Sequence, residues 1–171
     1  MHTTVAPAHD VVQLLAIQQS LAERPLFPAQ QLVDTGYTSV RNLACSQTRY
    51  QIDLVGPVYT DRQWQGRIPD GFTIERFQID WDRRYVTCPQ GCRSVGWSET
   101  TSSRGRASIH VTFDPADCLP CPARARCTRA RTRGGARALT LHTRAEHDLR
   151  GVVQSRQQTN DFAALYAQRW H

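Results

Sequence analysis

Lysine is missing from this chain of 171 residues: all 21 of its basic residues are arginine. Every cation is therefore a planar guanidinium, which grips phosphate bidentately and stays charged at any working pH. Acid is missing from one long stretch. Between Asp117 and Glu146 there is none, while Arg124, Arg126, Arg129, Arg131, Arg133, Arg137 and Arg144 all fall there. With a net charge of +6, this unevenness points to an anionic partner such as a phosphate backbone. Gly134 and Gly135 inside the same stretch equally suit a solvated loop. No apolar run approaches the length of a membrane span, and the first residues, MHTTVAPAHD, lack the charged and apolar regions of a signal peptide. The expected location is the cytoplasm, with no membrane partner. There is no internal repeat and no low-complexity tract. Hydrophobic residues reach only 40%, so any core is modest.

What is present falls into three stretches. From Val11 to Arg24 the apolar residues Val11, Leu14, Leu15, Ile17 and Leu21 follow helical spacing, with Asp10 as the expected N-cap. A strand over residues 2–7 should precede that helix. Gln31 to Val33 reads as a short strand, Tyr37 to Ala44 as a helix starting near Thr38 or Ser39, and Ile52 to Val55 as another strand. Strands alternating with helices imply an α/β layer over residues 1–58.

From residue 59 to 141 helical periodicity disappears. Short β-like runs replace it: Phe72–Phe77, Tyr85–Thr87, Ser94–Trp97, Ile109–Phe113 and Ala138–Leu141. Phe77 to Trp81 alternates apolar and polar, and Asp82-Arg83-Arg84 can turn the chain into Tyr85–Thr87, a hairpin. Residues 142–171 return to helix, with a break near Thr159-Asn160 and capping-box spacing at Thr143 and Glu146.

The candidate chemistry rests on cysteine and aspartate. In a reducing compartment, six cysteines suggest metal before disulfides. Cys88 and Cys92 form one pair, Cys118 and Cys121 another, and Cys127 follows six positions later. Thiolates are favoured zinc ligands, and two chelating loops on a β scaffold make a four-ligand site. Cys88, Cys92, Cys118 and Cys121 form one possible set, and Cys88, Cys118, Cys121 and Cys127 another. The alternative is a group of reduced thiols packed as small hydrophobes. Cys45, on the second helix, is expected to be a buried thiol.

Asp34, at the C-terminal end of a strand, stands where active sites of α/β sheets form. By spacing alone, capping of the turn at Asp34-Thr35-Gly36 explains it better. Asp80 and Asp82 belong to turn chemistry and ion pairing beside Arg83 and Arg84. His110, His142 and His147 have no partner at metal or catalytic spacing. Trp64, Trp81 and Trp97 are expected to pack the β-rich part.

Several runs together resemble a known family. They are LFPAQQLVDTGY at 26–37, IDLVGP at 52–57, FQIDW at 77–81, VTCPQG at 86–91, DCLPCP at 117–122 with Cys127-Thr128, and YAQR at 166–169. They are similar to the DDE transposases of bacterial insertion sequences, in the group with a cysteine-containing insertion in the catalytic domain. The resemblance implies a partial RNase H-like α/β fold over 1–58, a β-rich, zinc-ribbon-like insertion over 59–141 and a truncated helical return over 142–171. It implies DNA as partner, a homodimer at full length, and Mg²⁺ held by three carboxylates for in-line attack on a phosphodiester. Asp34 matches the second carboxylate. The first would precede Met1 and the third, a glutamate, would follow Arg169, so the expectation is a fragment without activity of its own. Cys92 departs from the family pattern, which leaves Cys88, Cys118, Cys121 and Cys127 as the implied structural zinc ligands and Cys92 as the alternative. The acid-free basic stretch makes Arg124, Arg126, Arg129, Arg131, Arg133 and Arg137 the candidate nucleic-acid contacts. A competing expectation is a small, zinc-binding, arginine-rich DNA-binding module without enzymatic activity. A third is a chain that does not fold stably, its sheet edges exposed.

Overall fold

The computed structural model describes residues 13–24, 28–59, 63–103, 105–131 and 133–170, without the side chains of Arg133 and Trp170. The expected strand over 2–7, the Asp10 cap and the start of the first helix lie outside them. The chain divides into two compact units, residues 1–59 with 148–171, and residues 60–147.

The first unit is a strand–helix–strand layer with helices. Helix α1 runs Leu14–Ala22 and buries Leu14 and Gln18. Gln18 is fully buried and satisfied: it donates to Gln31 Oε1 at 2.9 Å and accepts from Ser46 Oγ at 2.9 Å. Strand β1 (Gln30–Leu32) pairs in parallel with β2 (Asp53–Val55), and α2 (Val40–Tyr50) makes the crossover that parallel pairing requires. The helix expected from Tyr37 to Ala44 begins later and runs longer. Thr35–Tyr37 forms a separate 3-10 turn, and Ser39 caps α2 by accepting from the Asn42 N–H at 3.2 Å. Gln51, at φ 55°, closes α2 in the left-handed region. Leu14, Val33, Leu43, Ile52, Leu54, Val58 and Val153 form the core. Each such buried aliphatic side chain contributes about 1.5–3 kcal/mol.

The second unit is β-rich. Strands β3 (Gln78–Asp80) and β4 (Tyr85–Thr87) form the expected hairpin. Asp80 accepts from the Arg83 N–H at 2.8 Å, the turn role expected of it, and Asp82 pairs with Arg144 at 3.1 Å. Strands β5 (Gly96–Thr101), β6 (Ala107–Thr112) and β7 (Ala138–Leu141) form an antiparallel sheet in that order. The strand expected over Phe72–Phe77 does not form. Ile74–Arg76 is a 3-10 turn, because Phe72 bonds out to the Arg126 carbonyl and Thr73 folds back on Gly71. Two one-turn helices, α3 (Pro115–Cys118) and α4 (Arg124–Cys127), lie between β6 and β7. Phe72, Phe77, Val86, Ile109, Val111, Phe113, Leu139 and Leu141 build the core. Trp81 and Trp97 pack edge to face against it, with ring centroids 5.8 Å apart.

Helix α5 (Arg144–Gln157) leads the chain from the second unit back into the first. Its start is a capping box: the Thr143 N–H donates to Glu146 Oε2 at 3.3 Å and the Glu146 N–H to Thr143 Oγ1 at 3.4 Å. The break near residue 159 is real. Thr159 caps α6 (Asn160–Ala167) by accepting from the Phe162 N–H at 3.1 Å.

Candidate functional site

Asp34 follows β1 at its C-terminal end, two residues past Leu32 and just before the 3-10 turn. Its side chain makes no cap hydrogen bond to that turn, so the local role that spacing favoured is not the one it plays. It points outward, 56% exposed, and pairs instead with Arg169. The Asp34 carbonyl accepts from the Tyr37 N–H at 2.9 Å, and the backbone on either side is held as well. The Val33 N–H bonds to Val55 O at 2.9 Å, and Thr38 Oγ1 donates to both Thr35 O and Pro57 O. Gly56 makes this closeness possible, since a Cβ there would lie 2.3 Å from Val33 O. A second ion pair fixes the helical return. Arg156 of α5 grips both oxygens of Asp53 at 2.8 and 2.7 Å and donates to Leu54 O at 3.0 Å.

Sequence reasoning missed both arginines as partners. Arg169 lay in a family-like run without a role. Arg156 carried no signal, because its partner is 103 residues away.

Five cysteines meet in the second unit. Cys88 and Cys92, Cys118 and Cys121, and Cys127 line one cavity of about 30 Å³, together with Phe72, Phe77, Phe113, Asp117 and Arg137. The Cys88–Cys92 loop is closed by its own backbone: the Cys88 N–H donates to Cys92 O and the Gly91 N–H to Cys88 O, both at 2.8 Å. Cys118 ends α3, and its sulfur accepts the Arg137 N–H at 3.5 Å. Cys127 ends α4 and is buried. Burial pushes its thiol up to about 11, against the pull of the Arg137 charge. Burial, then the neighbouring Cys88 and Asp117, also raises the Cys92 thiol. As these side chains stand, no group of three or more His, Cys, Asp or Glu among the described residues is gathered closely enough to hold an ion. Cys45, expected to be buried, is only partly so. It lies on α2, whose buried side chains are Asn42, Leu43 and Ser46.

The candidate arginines separate by environment. Arg137 is buried at 8% exposure, with its guanidinium 5.8 Å from the centre of the Phe77 ring, and so presents no phosphate contact. Arg124 turns inward and donates to Ala130 O and Gly135 O, each at 3.1 Å. Arg126, Arg129 and Arg131 are exposed. Arg129 lies over the Trp64 ring at 4.1 Å and Arg126 over Phe72 at 5.5 Å, which orders both without removing their charge. The Arg133 side chain lies outside the described residues.

The decisive comparison concerns the second half of the chain. Residues 87–171 match the model of the transposase DDE domain. Over these residues the chain belongs to the DDE transposase family. The matched stretch holds all five clustered cysteines, the exposed arginines and Arg169, while Asp34 lies before it. No curated protein and no solved structure matches the chain. Membership in the DDE transposase family implies a DNA substrate and a Mg²⁺-type divalent cofactor for the family's catalytic domain. The residues here do not by themselves fit such a cofactor. Asp34 is a single exposed carboxylate paired with an arginine, and two-ion chemistry needs several converging oxygens. Among the described residues no helix is long and apolar enough to cross a membrane.

Proposed function

We propose that this chain is part of a cytoplasmic DDE transposase in which Asp34 supplies one metal-binding carboxylate, and that these 171 residues alone perform no phosphodiester chemistry. The family match carries the reading. The position of Asp34 supports the residue assignment. It is an exposed carboxylate at the C-terminal end of a parallel strand, it is unused by its own turn, and the chain's last helical stretch reaches it through Arg169. One carboxylate cannot hold two cations in line with an attacked phosphodiester. Incubated with supercoiled plasmid and Mg²⁺, the purified chain is expected to leave the plasmid uncut. Nicking that disappears in Asp34→Ala would overturn the inactivity and keep the carboxylate assignment. Nicking that survives Asp34→Ala would overturn both.

The DNA contact falls to Arg126, Arg129 and Arg131. Their exposure, and the absence of acid between Asp117 and Glu146, support this. Duplex binding should weaken steeply with salt, and Arg131→Glu should weaken it for every sequence alike. Equal binding by the parent and a triple Arg126, Arg129, Arg131→Ala variant would remove the segment from the interface. A homodimer belongs to the same proposal for the whole transposase.

The cysteine-lined cavity favours a second reading of the 60–147 unit, as a small zinc-binding, DNA-binding module without enzymatic activity. Zinc and salt-sensitive binding without any nicking would support it. Protein purified without chelator and found free of metal would exclude it.

A further inference from the structure

We propose that Trp64, Gln65 and Phe72 are positioning residues for DNA binding, which hold Arg126 and Arg129 in one presentation to the phosphate backbone before DNA arrives. The proposal rests on the DNA reading of Arg126, Arg129 and Arg131. It adds to that reading a supporting surface that lies outside the basic run and before the matched residues 87–171.

Both arginines stand at the exit of α4. Arg126 is its third residue, and Arg129 follows its last residue, Cys127, by two. An arginine side chain has large rotamer freedom, and ordering it on a phosphate consumes part of the binding energy. Here each guanidinium already has a seat, on the Trp64 ring at 4.1 Å for Arg129 and on the Phe72 ring at 5.5 Å for Arg126. A ring covers the face of a guanidinium and leaves the N–H donors along its edge, which are the donors a phosphate takes. Neither arginine forms an ion pair among the described residues, so both charges stay available to an anion.

The backbone beneath them is tied to the same segment. The last carbonyls of a helix find no partner inside it, and their partial negative charge opposes an anion. The Phe72 N–H donates to Arg126 O at 2.9 Å, and Gln65 Nε2 donates to Cys127 O at 3.0 Å. Gln65 is 2% exposed, so its bond is shielded from water. These donors occupy two carbonyls at the α4 end and fix that end against residues 64–72.

Core packing does not account for Trp64. Trp81 and Trp97 pack against the hydrophobic cluster of this unit, whereas Trp64 stands outside it, half-buried, with Arg129 on its ring. A seat that aims only edge donors at phosphate carries no base preference, so the contact it prepares is independent of sequence.

The test measures binding of the full chain to a short duplex of arbitrary sequence over a range of salt. Trp64→Leu should weaken binding about threefold to tenfold, because the freed arginine must then be ordered on the phosphate. Its slope against the logarithm of salt should match the parent's, since no charge is lost, whereas Arg129→Gln should make the slope shallower by about one. Trp64→Phe restores a ring face and should recover most of the affinity. In an Arg129→Gln background, Trp64→Leu should have no further effect.

No binding by the unmutated chain, or equal binding by the triple Arg126, Arg129, Arg131→Ala variant, would sink the DNA reading itself. Parent-like binding by Trp64→Leu, or the same loss with and without Arg129, would leave that reading standing and overturn the positioning role. A measurement on the unmutated chain decides the matter even if a variant misfolds. The indole ring current should move the Arg129 side-chain proton resonances upfield, both in the free protein and in the complex. Ordinary positions for those resonances in the free protein would overturn the proposal.

Discussion

Arg169 donates through both terminal nitrogens to the carboxylate of Asp34, a partner 135 residues earlier in the chain. The Asp34 side chain is more than half exposed, so water screens the attraction and the pair adds little to folding. Asp34→Asn and Arg169→Met should each melt within a degree or two of the parent, by a rough conversion of such small effects. Differential scanning calorimetry checks this. A large fall in either variant would give Asp34 a structural role, and the carboxylate would no longer need chemistry to account for it.

The other long-range pair should behave in the opposite way. Arg156 makes two bonds to Asp53 and a third to Leu54 O, and its side chain is only 30% exposed. Fork-on-carboxylate geometry is the strong form of the ionic hydrogen bond. Arg156→Met strips Asp53 and the carbonyl together, and should cost about 1–3 kcal/mol in denaturant unfolding. A loss no larger than that of Arg169→Met would mean that the return of α5 to β2 is held by apolar contact alone.

Gly56 bears on Asp34 through the backbone. A methyl group there meets Val33 O at 2.3 Å and the Thr38 methyl at 3.0 Å, and Val33 is backbone that continues the β1–β2 pairing through its own N–H to Val55 O. Gly56→Ala should therefore destabilise by about 1–3 kcal/mol, as overpacking does. Amide exchange at Val33, whose N–H bonds to Val55 O, should quicken in the variant. Unchanged protection there would show that the strands tolerate the extra volume.

Local signals in the sequence were legible and non-local ones were not. The Thr143–Glu146 capping box, the Thr159 break and the Asp80 turn are each set by residues three or four apart, and each forms as its spacing implies. The Phe72–Phe77 run carries strand-like residues but takes a 3-10 turn, because a remote carbonyl, Arg126 O, captures its Phe72 N–H. The same blindness affected the arginines. Counted in sequence they form one basic run, yet folding buries Arg137 on the Phe77 ring and turns Arg124 onto two carbonyls. For Asp34 the order is reversed. Spacing assigned it to its turn, the resemblance assigned it to chemistry, and the missing cap hydrogen bond removes the first assignment.

The β3–β4 hairpin should lose stability in acid through one identifiable group. The Arg83 backbone N–H, donating to Asp80 at 2.8 Å, holds its carboxyl below the ordinary value of 3.8. A carboxyl depressed in the folded state takes up protons later than in the unfolded chain. Its contribution is thus full above 3.8 and fades as pH falls through its lower folded value. Above that window the unfolded chain is equally ionised and the difference is constant. Asp80→Asn keeps the acceptor oxygen but removes the titration. Its melting temperature should sit below the parent's at neutral pH, and the gap should narrow as the solution is acidified past 3.8. A gap that stays constant across that range would assign the acid sensitivity to other carboxylates and leave Asp80 as a neutral turn acceptor.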